Sequence, residues 1–248
     1  MSLPTDQPPP NPPWGPISTV AWGLAAFFVS FLAITAAVLG LRWTGVFRGP
    51  IRASDGKVIA FVLLASVPAE LAVLVFASHL RRWPPTIYLG LVWPRRAEVI
   101  VAVIAVVVTN LTFFAINTFV IGSGHGDLLP SSQGEEWRSA ADVGWLFWLL
   151  FAIVVAGPIG EEVMFRGFLF RGLARPGWEV HAIGATALGW ALLHTQYSYF
   201  IMGEIFLDGL VLGWFRWASG STVLTIGMHM IMNAMAMLET WIMVESVS

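Results

Sequence analysis

Apolar residues occur along this chain in runs long enough to cross a membrane as helices. About 20 consecutive apolar residues form a helix that spans the hydrocarbon core of a bilayer. On that length, the sequence predicts about seven membrane-spanning helices, within a range of about six to eight. The predicted spans are Ile17–Leu41, Val58–Leu80, Val99–Ile121, Gly144–Phe170, His181–His194, Tyr199–Trp217 and Val223–Val244. The fifth is short, which is typical of a buried or half-spanning helix inside a bundle.

Polar segments divide the chain into three predicted parts. Residues 1–14 are polar and rich in proline. They cannot bury apolar area, so we predict a disordered tail. Residues 15–142 hold the first three spans and their connections, which include a polar loop over Ser123–Asp142. Residues 143–248 are predicted to form a second transmembrane helical domain.

Composition supports the same fold class. The chain has 57% hydrophobic and 11% charged residues, whereas soluble domains carry about 25% charged residues. So few charges cannot cover a surface that faces water. We therefore predict an all-α, polytopic transmembrane helical bundle with the lipid bilayer as its solvent and a polar active site inside the bundle.

Charge and cysteine content exclude several function classes. A formal net charge of −2 gives no basis for a nucleic-acid partner. The chain has no cysteine, which rules out disulfides, thiol catalysis and cysteine metal sites. Lys57 is the single lysine among thirteen basic residues. That bias suits a GC-rich bacterial genome, so the expected location is the bacterial plasma membrane.

Ionisable side chains inside the predicted spans are candidates for function. A charge at the bilayer centre costs about 2.5–3.5 kcal/mol on insertion scales, so such residues are rare without a role. The informative ones are Glu70, Glu161, Glu162, Arg166, His194, Glu204, Asp208 and His229. The densest group lies between Gly157 and Gly167. There Glu162 and Arg166 are four residues apart, which places them on one helical face as a potential ion pair. Glu161 points about 100° away from Glu162.

Two further spans carry polar motifs. The fifth span contains an aromatic residue, Trp190, and ends four positions later at His194. In the last span, His229 and Asn233 are also four residues apart and project from one helical face. Three helices therefore supply polar groups that can converge inside a bundle, where helical proteins build their sites.

These motifs, in this order, resemble those of the CAAX-protease and bacteriocin-processing (CPBP) family. That family consists of intramembrane endopeptidases and includes the type II CAAX prenyl proteases. The motifs here are Glu161-Glu162-x-x-x-Arg166, Trp190-x-x-x-His194 and His229-x-x-x-Asn233. The resemblance covers roughly Trp145–Leu238. It departs at Trp190, where the family usually has Phe, and we interpret that ring as a packing element.

The resemblance implies a peptide hydrolase whose catalytic domain is residues 143–248. Its implied substrate is a membrane-bound peptide or protein, with lipid-modified peptides included. Amide hydrolysis needs an activated water and a stabilised oxyanion. We predict Glu161 as the general base, with His194 holding and polarising the water. His229 and Asn233 are predicted to donate hydrogen bonds to the oxyanion.

Two assignments within the motifs stay open at the level of sequence. Glu162 and Arg166 are predicted to orient the helix or the substrate. A metal-dependent alternative would use Glu161, His194 and His229 as zinc ligands around an open position. Because the sequence lacks H-E-x-x-H, which places two ligands on one helix, it favours a mechanism that requires no cofactor.

Two other functions are alternatives to proteolysis. In the first, the chain is a member of the same family that has lost catalysis and serves as a membrane scaffold. The other is a small ion-coupled transporter that uses Glu70, Glu204 and Asp208, of which the last two share a helical face. Intramembrane acids are typical of proton and cation pathways. The sequence shows no inverted repeat of the kind many transporters have.

Overall fold

A computed structural model describes residues 13–45, 52, 54–125 and 132–247. These residues form helices and connections, and no β-strand occurs among them, which confirms the all-α prediction. In chain order, the elements are α1 (Pro16–Trp43), α2 (Gly56–Leu80), α3 (Pro85–Tyr88), α4 (Arg96–Gly122), α5 (Ser132–Asp142), α6 (Leu146–Phe151), the π-helix π1 (Ala152–Ala156), α7 (Gly157–Glu162), the π-helix π2 (Val163–Leu169), α8 (Phe170–Leu173), α9 (Glu179–Leu192), α10 (Tyr199–Ser219) and α11 (Thr222–Val247). The elements from α6 to α8 follow one another without a break, and we call Leu146–Leu173 the central helix.

Five helices in the described part of the chain have the length and apolar composition to cross a membrane. They are α1, α2, α4, the central helix, and Thr222–Ile242 within α11. They coincide with the first four predicted spans and the last one. They indicate that this is an integral membrane protein.

The fifth and sixth predicted spans differ from these five. Helix α9 has 14 residues. At about 1.5 Å per residue it is about 21 Å long, which is less than the hydrocarbon thickness of about 30 Å. Helix α10 has 21 residues, but Glu204, Asp208 and Arg216 interrupt its apolar character. Length and composition therefore support five spans rather than about seven.

Two polar segments are more ordered than the sequence analysis predicted. The second half of the predicted Ser123–Asp142 loop is helix α5, which packs against α2 and α11. A Cβ atom at Gly56 would collide with the carbonyl oxygen of Glu136, so glycine permits this close approach. Residues 1–12 of the predicted tail lie outside the described residues. Trp14, the last residue of that tail, is folded: its indole N–H donates to the Ala77 carbonyl oxygen at 3.0 Å.

The central helix lies in the middle of the bundle. It contacts α1, α2, α9, α10 and α11, and its Arg166 is among the largest fully buried side chains of the described residues. Helices α9 and α10 pack closely side by side. Cβ atoms added at Gly209 and Gly213 would lie 2.9 Å from Ala187 Cβ and 2.8 Å from Ile183 Cγ2. This packing holds the end of α9, with Trp190 and His194, against the central helix.

Candidate active site

Two π-helical segments flank the acidic motif of the central helix. Glycine and proline disfavour regular helix, and Gly157, Pro158 and Gly160 stand directly before Glu161. The structure instead continues the helix through π1 and α7. A proline inside an α-helix removes one hydrogen bond and clashes with the carbonyl four residues earlier. The wider π turn directly before α7 accommodates that geometry, and such turns are frequent at functional sites.

A buried polar network lies on one side of this helix. Arg166 Nη1 donates to Glu162 Oε1 at 2.8 Å, and His229 Nδ1 lies 3.2 Å from the same oxygen. Both members of the predicted Glu162–Arg166 pair are 0% exposed. The guanidinium also donates to the Gly209 carbonyl oxygen at 3.2 Å. The network therefore fixes the central helix to α10 and α11.

Glu161 faces away from that network, as the helical rotation predicted, and meets Trp190. The Trp190 indole N–H donates to Glu161 Oε2 at 2.5 Å. The same ring packs edge-on against His194 and His229, with centroid distances of 5.4 and 5.1 Å. The sequence predicted only a packing role for this ring. The hydrogen-bonding role of Trp190 was missed because the motif marks only an aromatic position.

Glu161 and His194 border one cavity of about 340 Å³. Its walls come from α1, α2, the central helix and the end of α9, and they include Phe27, Phe31 and Glu70. His194 Nδ1 lies 2.9 Å from the Trp190 carbonyl oxygen. Since a carbonyl can only accept, we place the proton on Nδ1, which leaves Nε2 of the neutral ring as an acceptor.

His229 and Asn233 are not among the residues that border this cavity. His229 is 3% exposed and faces Glu162. Asn233 Nδ2 donates to the carbonyl oxygen of Ile153, inside π1, at 2.8 Å. The structure therefore places Glu161 and His194 on one cavity, while the other two predicted catalytic residues contact the central helix from α11. Their oxyanion role stays a prediction.

The zinc alternative requires Glu161, His194 and His229 around one ion. Within the described ranges, no group of three or more His, Cys, Asp or Glu side chains could hold a metal ion. In the observed arrangement, Glu161 is engaged by Trp190 and His229 by Glu162. The residues as placed do not fit a three-ligand zinc site, so we derive no step through a metal.

The acids of the transporter alternative fall in different places. Glu70 borders the same cavity as Glu161 and His194. Glu204 lies near Asn117 and Glu239 instead. Asp208, one turn further along α10, has a buried oxygen, Oδ1, without a hydrogen-bond partner. Of the three acids, Glu70 alone borders the cavity that Glu161 and His194 line. The contact of Glu70 with the Glu161 cavity was not evident from the sequence, since it joins residues far apart in the chain.

The comparisons with known proteins concern the second half of the chain. Residues 143–235 match the family described as type II CAAX prenyl endopeptidase Rce1-like. Searches of curated proteins and of solved structures return no match. The matched segment begins just before α6 and ends within α11, so it includes all the motif residues. Residues 143–235 are a domain of the Rce1-like type II CAAX prenyl endopeptidase family, which is a family of peptidases.

Proposed function

We propose that this protein is an intramembrane endopeptidase that hydrolyses a peptide bond of a membrane-associated substrate. Lipid-modified peptides are the substrate class that the family match favours. The single observation that carries the proposal is the placement of Glu161 and His194 on one cavity inside a membrane-spanning bundle. A carboxylate and an imidazole that border the same cavity can activate a water molecule there.

In this mechanism, Glu161 is the general base. Its carboxylate takes a proton from a water molecule in the cavity, while the water oxygen attacks the substrate carbonyl carbon. His194 Nε2, as an acceptor, holds the second hydrogen of that water and fixes its orientation. The hydrogen bond from Trp190 holds the Glu161 carboxylate in place. General-base assistance of this kind accelerates a reaction by about 10²–10⁴-fold.

The oxyanion would be stabilised by His229 and Asn233, each of which has a donor beyond its observed contact. The Asn233 amide carries two N–H groups, and the Ile153 carbonyl uses one. His229 in its charged form, next to the Glu162 carboxylate, donates through Nε2 as well. Removing one oxyanion donor lowers kcat by about 10²–10³-fold in a well-studied protease.

Glu162 and Arg166 act as positioning residues in this proposal. Their ion pair is fully buried and contacts His229 on one side and the Gly209 backbone on the other. A substrate cannot reach side chains that are 0% exposed without a rearrangement of the bundle. Their effect on catalysis would therefore act through His229 and through the orientation of the central helix.

The test compares the termini of membrane proteins in cells that carry the wild type, Glu161→Gln or Glu204→Gln at matched expression. Mass spectrometry should find defined cleavage products with the wild type and with Glu204→Gln, and none with Glu161→Gln. If Glu161→Gln leaves every terminus unchanged and rescues a deletion phenotype, the scaffold function replaces this proposal. Failure of Glu204→Gln alone to rescue the deletion phenotype would favour the transporter.

Metal dependence is a separate prediction. Because Glu161 is hydrogen-bonded to Trp190 and His229 to Glu162 in the observed arrangement, we expect the purified protein to keep its activity after dialysis against a chelator. Elemental analysis of the same sample verifies that zinc is absent. Activity that disappears on chelation and returns with zinc, but not with magnesium, would contradict the metal-free mechanism.

A further inference from the structure

Glu70 is a buried carboxyl group in the wall of the cavity that Glu161 and His194 border. It lies on α2, outside the matched peptidase domain, and is 9% exposed. Within the described part of the chain, no hydrogen bond or ion pair engages its carboxyl group. A buried acid that faces the reaction space without a partner calls for an explanation, since burial of an unpaired charge is costly.

Glu70 and Glu161 differ in the hydrogen-bond donors that surround them. Both face an apolar space walled by Phe27 and Phe31, where two neighbouring negative charges are strongly disfavoured. Glu161 accepts a hydrogen bond from the Trp190 indole, which stabilises its ionised form. Glu70 has no such donor. The other titratable group on the cavity wall is His194. The lining residues from α1 include no titratable side chain. A carboxyl group that lacks a hydrogen-bond donor is the better site for a proton, which makes Glu70 the candidate acid of this cavity.

Peptide hydrolysis requires an acid as well as a base. The nitrogen of the scissile bond leaves as an amine only if it receives a proton when the C–N bond breaks. When that bond breaks, the His194 proton is held by the Trp190 carbonyl, and the Glu161 carboxyl group, which has taken its proton from the water, is held by the Trp190 indole. Glu70 is a second carboxyl group on the same cavity, and it can supply a proton from the α2 wall.

We propose that Glu70 is the general acid that protonates the leaving amine nitrogen, a role that rests on the proposed function. Glu161 takes one proton from water as the water oxygen bonds to the carbonyl carbon. The C–N bond then breaks with its electron pair on nitrogen, which takes the proton of Glu70. The products are a carboxylic acid and an amine. The proton on Glu161 passes to Glu70 and restores the starting state.

The kinetic test uses a farnesylated C-a-a-X peptide and its ester counterpart, in which oxygen replaces the scissile N–H. An alkoxide is a far better leaving group than an amide anion and needs little help from an acid. Glu70→Gln should lower kcat on the amide by about 10²–10⁴-fold, and on the ester by less than about tenfold. The KM for both probes should stay near the wild-type value. The control is Ser66→Ala, one turn earlier on the same cavity wall, which should leave both rates unchanged.

Equal losses on the two probes, a change confined to KM, or undiminished amide cleavage would each overturn the role of Glu70. A failure of the proposed function would look different. If the protein is not such a peptidase, the wild type cleaves neither probe. If Glu161 is not the base, Glu161→Gln still cleaves the amide. In both cases the acid role of Glu70 fails as well.

An infrared measurement tests the proton on Glu70 without any substrate. The difference between the spectra of wild type and Glu70→Gln at neutral pH should contain the C=O stretch of a protonated carboxyl group. A variant that failed to fold would lose the amide backbone signature as well, so the two cases are separable. A difference spectrum that contains only carboxylate bands would overturn the proposal.

Discussion

At the scale of single residues, Trp190 connects the two parts of the site. Its indole N–H holds Glu161, its ring edges contact both histidines, and the Arg166 guanidinium lies 4.6 Å from its ring centroid. The base in the cavity and the buried ion pair therefore share one side chain. A change that keeps the ring but removes the N–H isolates the hydrogen bond to Glu161.

Trp190→Phe makes that change. A hydrogen bond to a charged group contributes about 1.5–3 kcal/mol, which corresponds to a loss in kcat of about 10- to 100-fold. We expect KM to stay unchanged, because the ring still fills its place. Trp214→Phe, which alters an exposed indole on α10, is the matched control. A kcat equal to or above the wild-type value would show that the N–H does not position the base.

The buried ion pair makes a prediction about stability. Arg166→Met leaves the Glu162 carboxylate buried with one fewer partner, and breaking a buried pair in this way costs about 3–5 kcal/mol. The double variant Glu162→Gln with Arg166→Met removes both charges and should recover part of that loss. The free energy of unfolding of both variants is measured by denaturant titration in detergent micelles.

The control for this pair is Arg95→Met. The Arg95 side chain pairs with Glu98 at 3.7 Å but is 88% exposed, so its loss should cost no more than about 1 kcal/mol. If the double variant is less stable than Arg166→Met alone, the burial argument for the pair is wrong.

At the scale of elements, the contact of α9 with α10 positions the second motif. Gly213→Ala would place a methyl group against Ile183, and such overpacking costs about 1–3 kcal/mol. Gly203 is on the same helix with no atom within 4 Å of an added Cβ. There the substitution should stabilise the helix by about 0.5–1 kcal/mol. Denaturant midpoints of the two variants should therefore shift in opposite directions, and shifts of the same sign would contradict the packing.

The elements also show what the sequence could and could not predict. The long spans and the Glu162–Arg166 pair depend on residues close in sequence, and hydrophobicity and helical spacing were sufficient for both. The π turns around α7 have no compositional signature, because an α-helix and a π-helix accept the same residues. Helix α5 was predicted as loop because its polar residues lack the apolar run of a membrane span, although they follow a helical pattern.

At the scale of the whole molecule, the cavity is completed by helices outside the matched domain. The motifs of residues 143–235 supply Glu161 and His194, while α1 and α2 supply the opposite wall, with Phe31 and Glu70. A division of the chain at residue 142 therefore separates two walls of one site. The sequence could not show this, since contacts between distant helices leave no local pattern.

The most direct test of the central claim is hydrolysis by the purified protein in proteoliposomes. The probe is the farnesylated C-a-a-X peptide, supplied in water enriched in ¹⁸O, with mass spectrometry of the products. The account predicts that the wild type and Glu204→Gln cleave the probe and place ¹⁸O in the new carboxyl group. Glu161→Gln should be slower by about 10²–10⁴-fold. Cleavage by Glu161→Gln at the wild-type rate would contradict the assignment of Glu161 as the base.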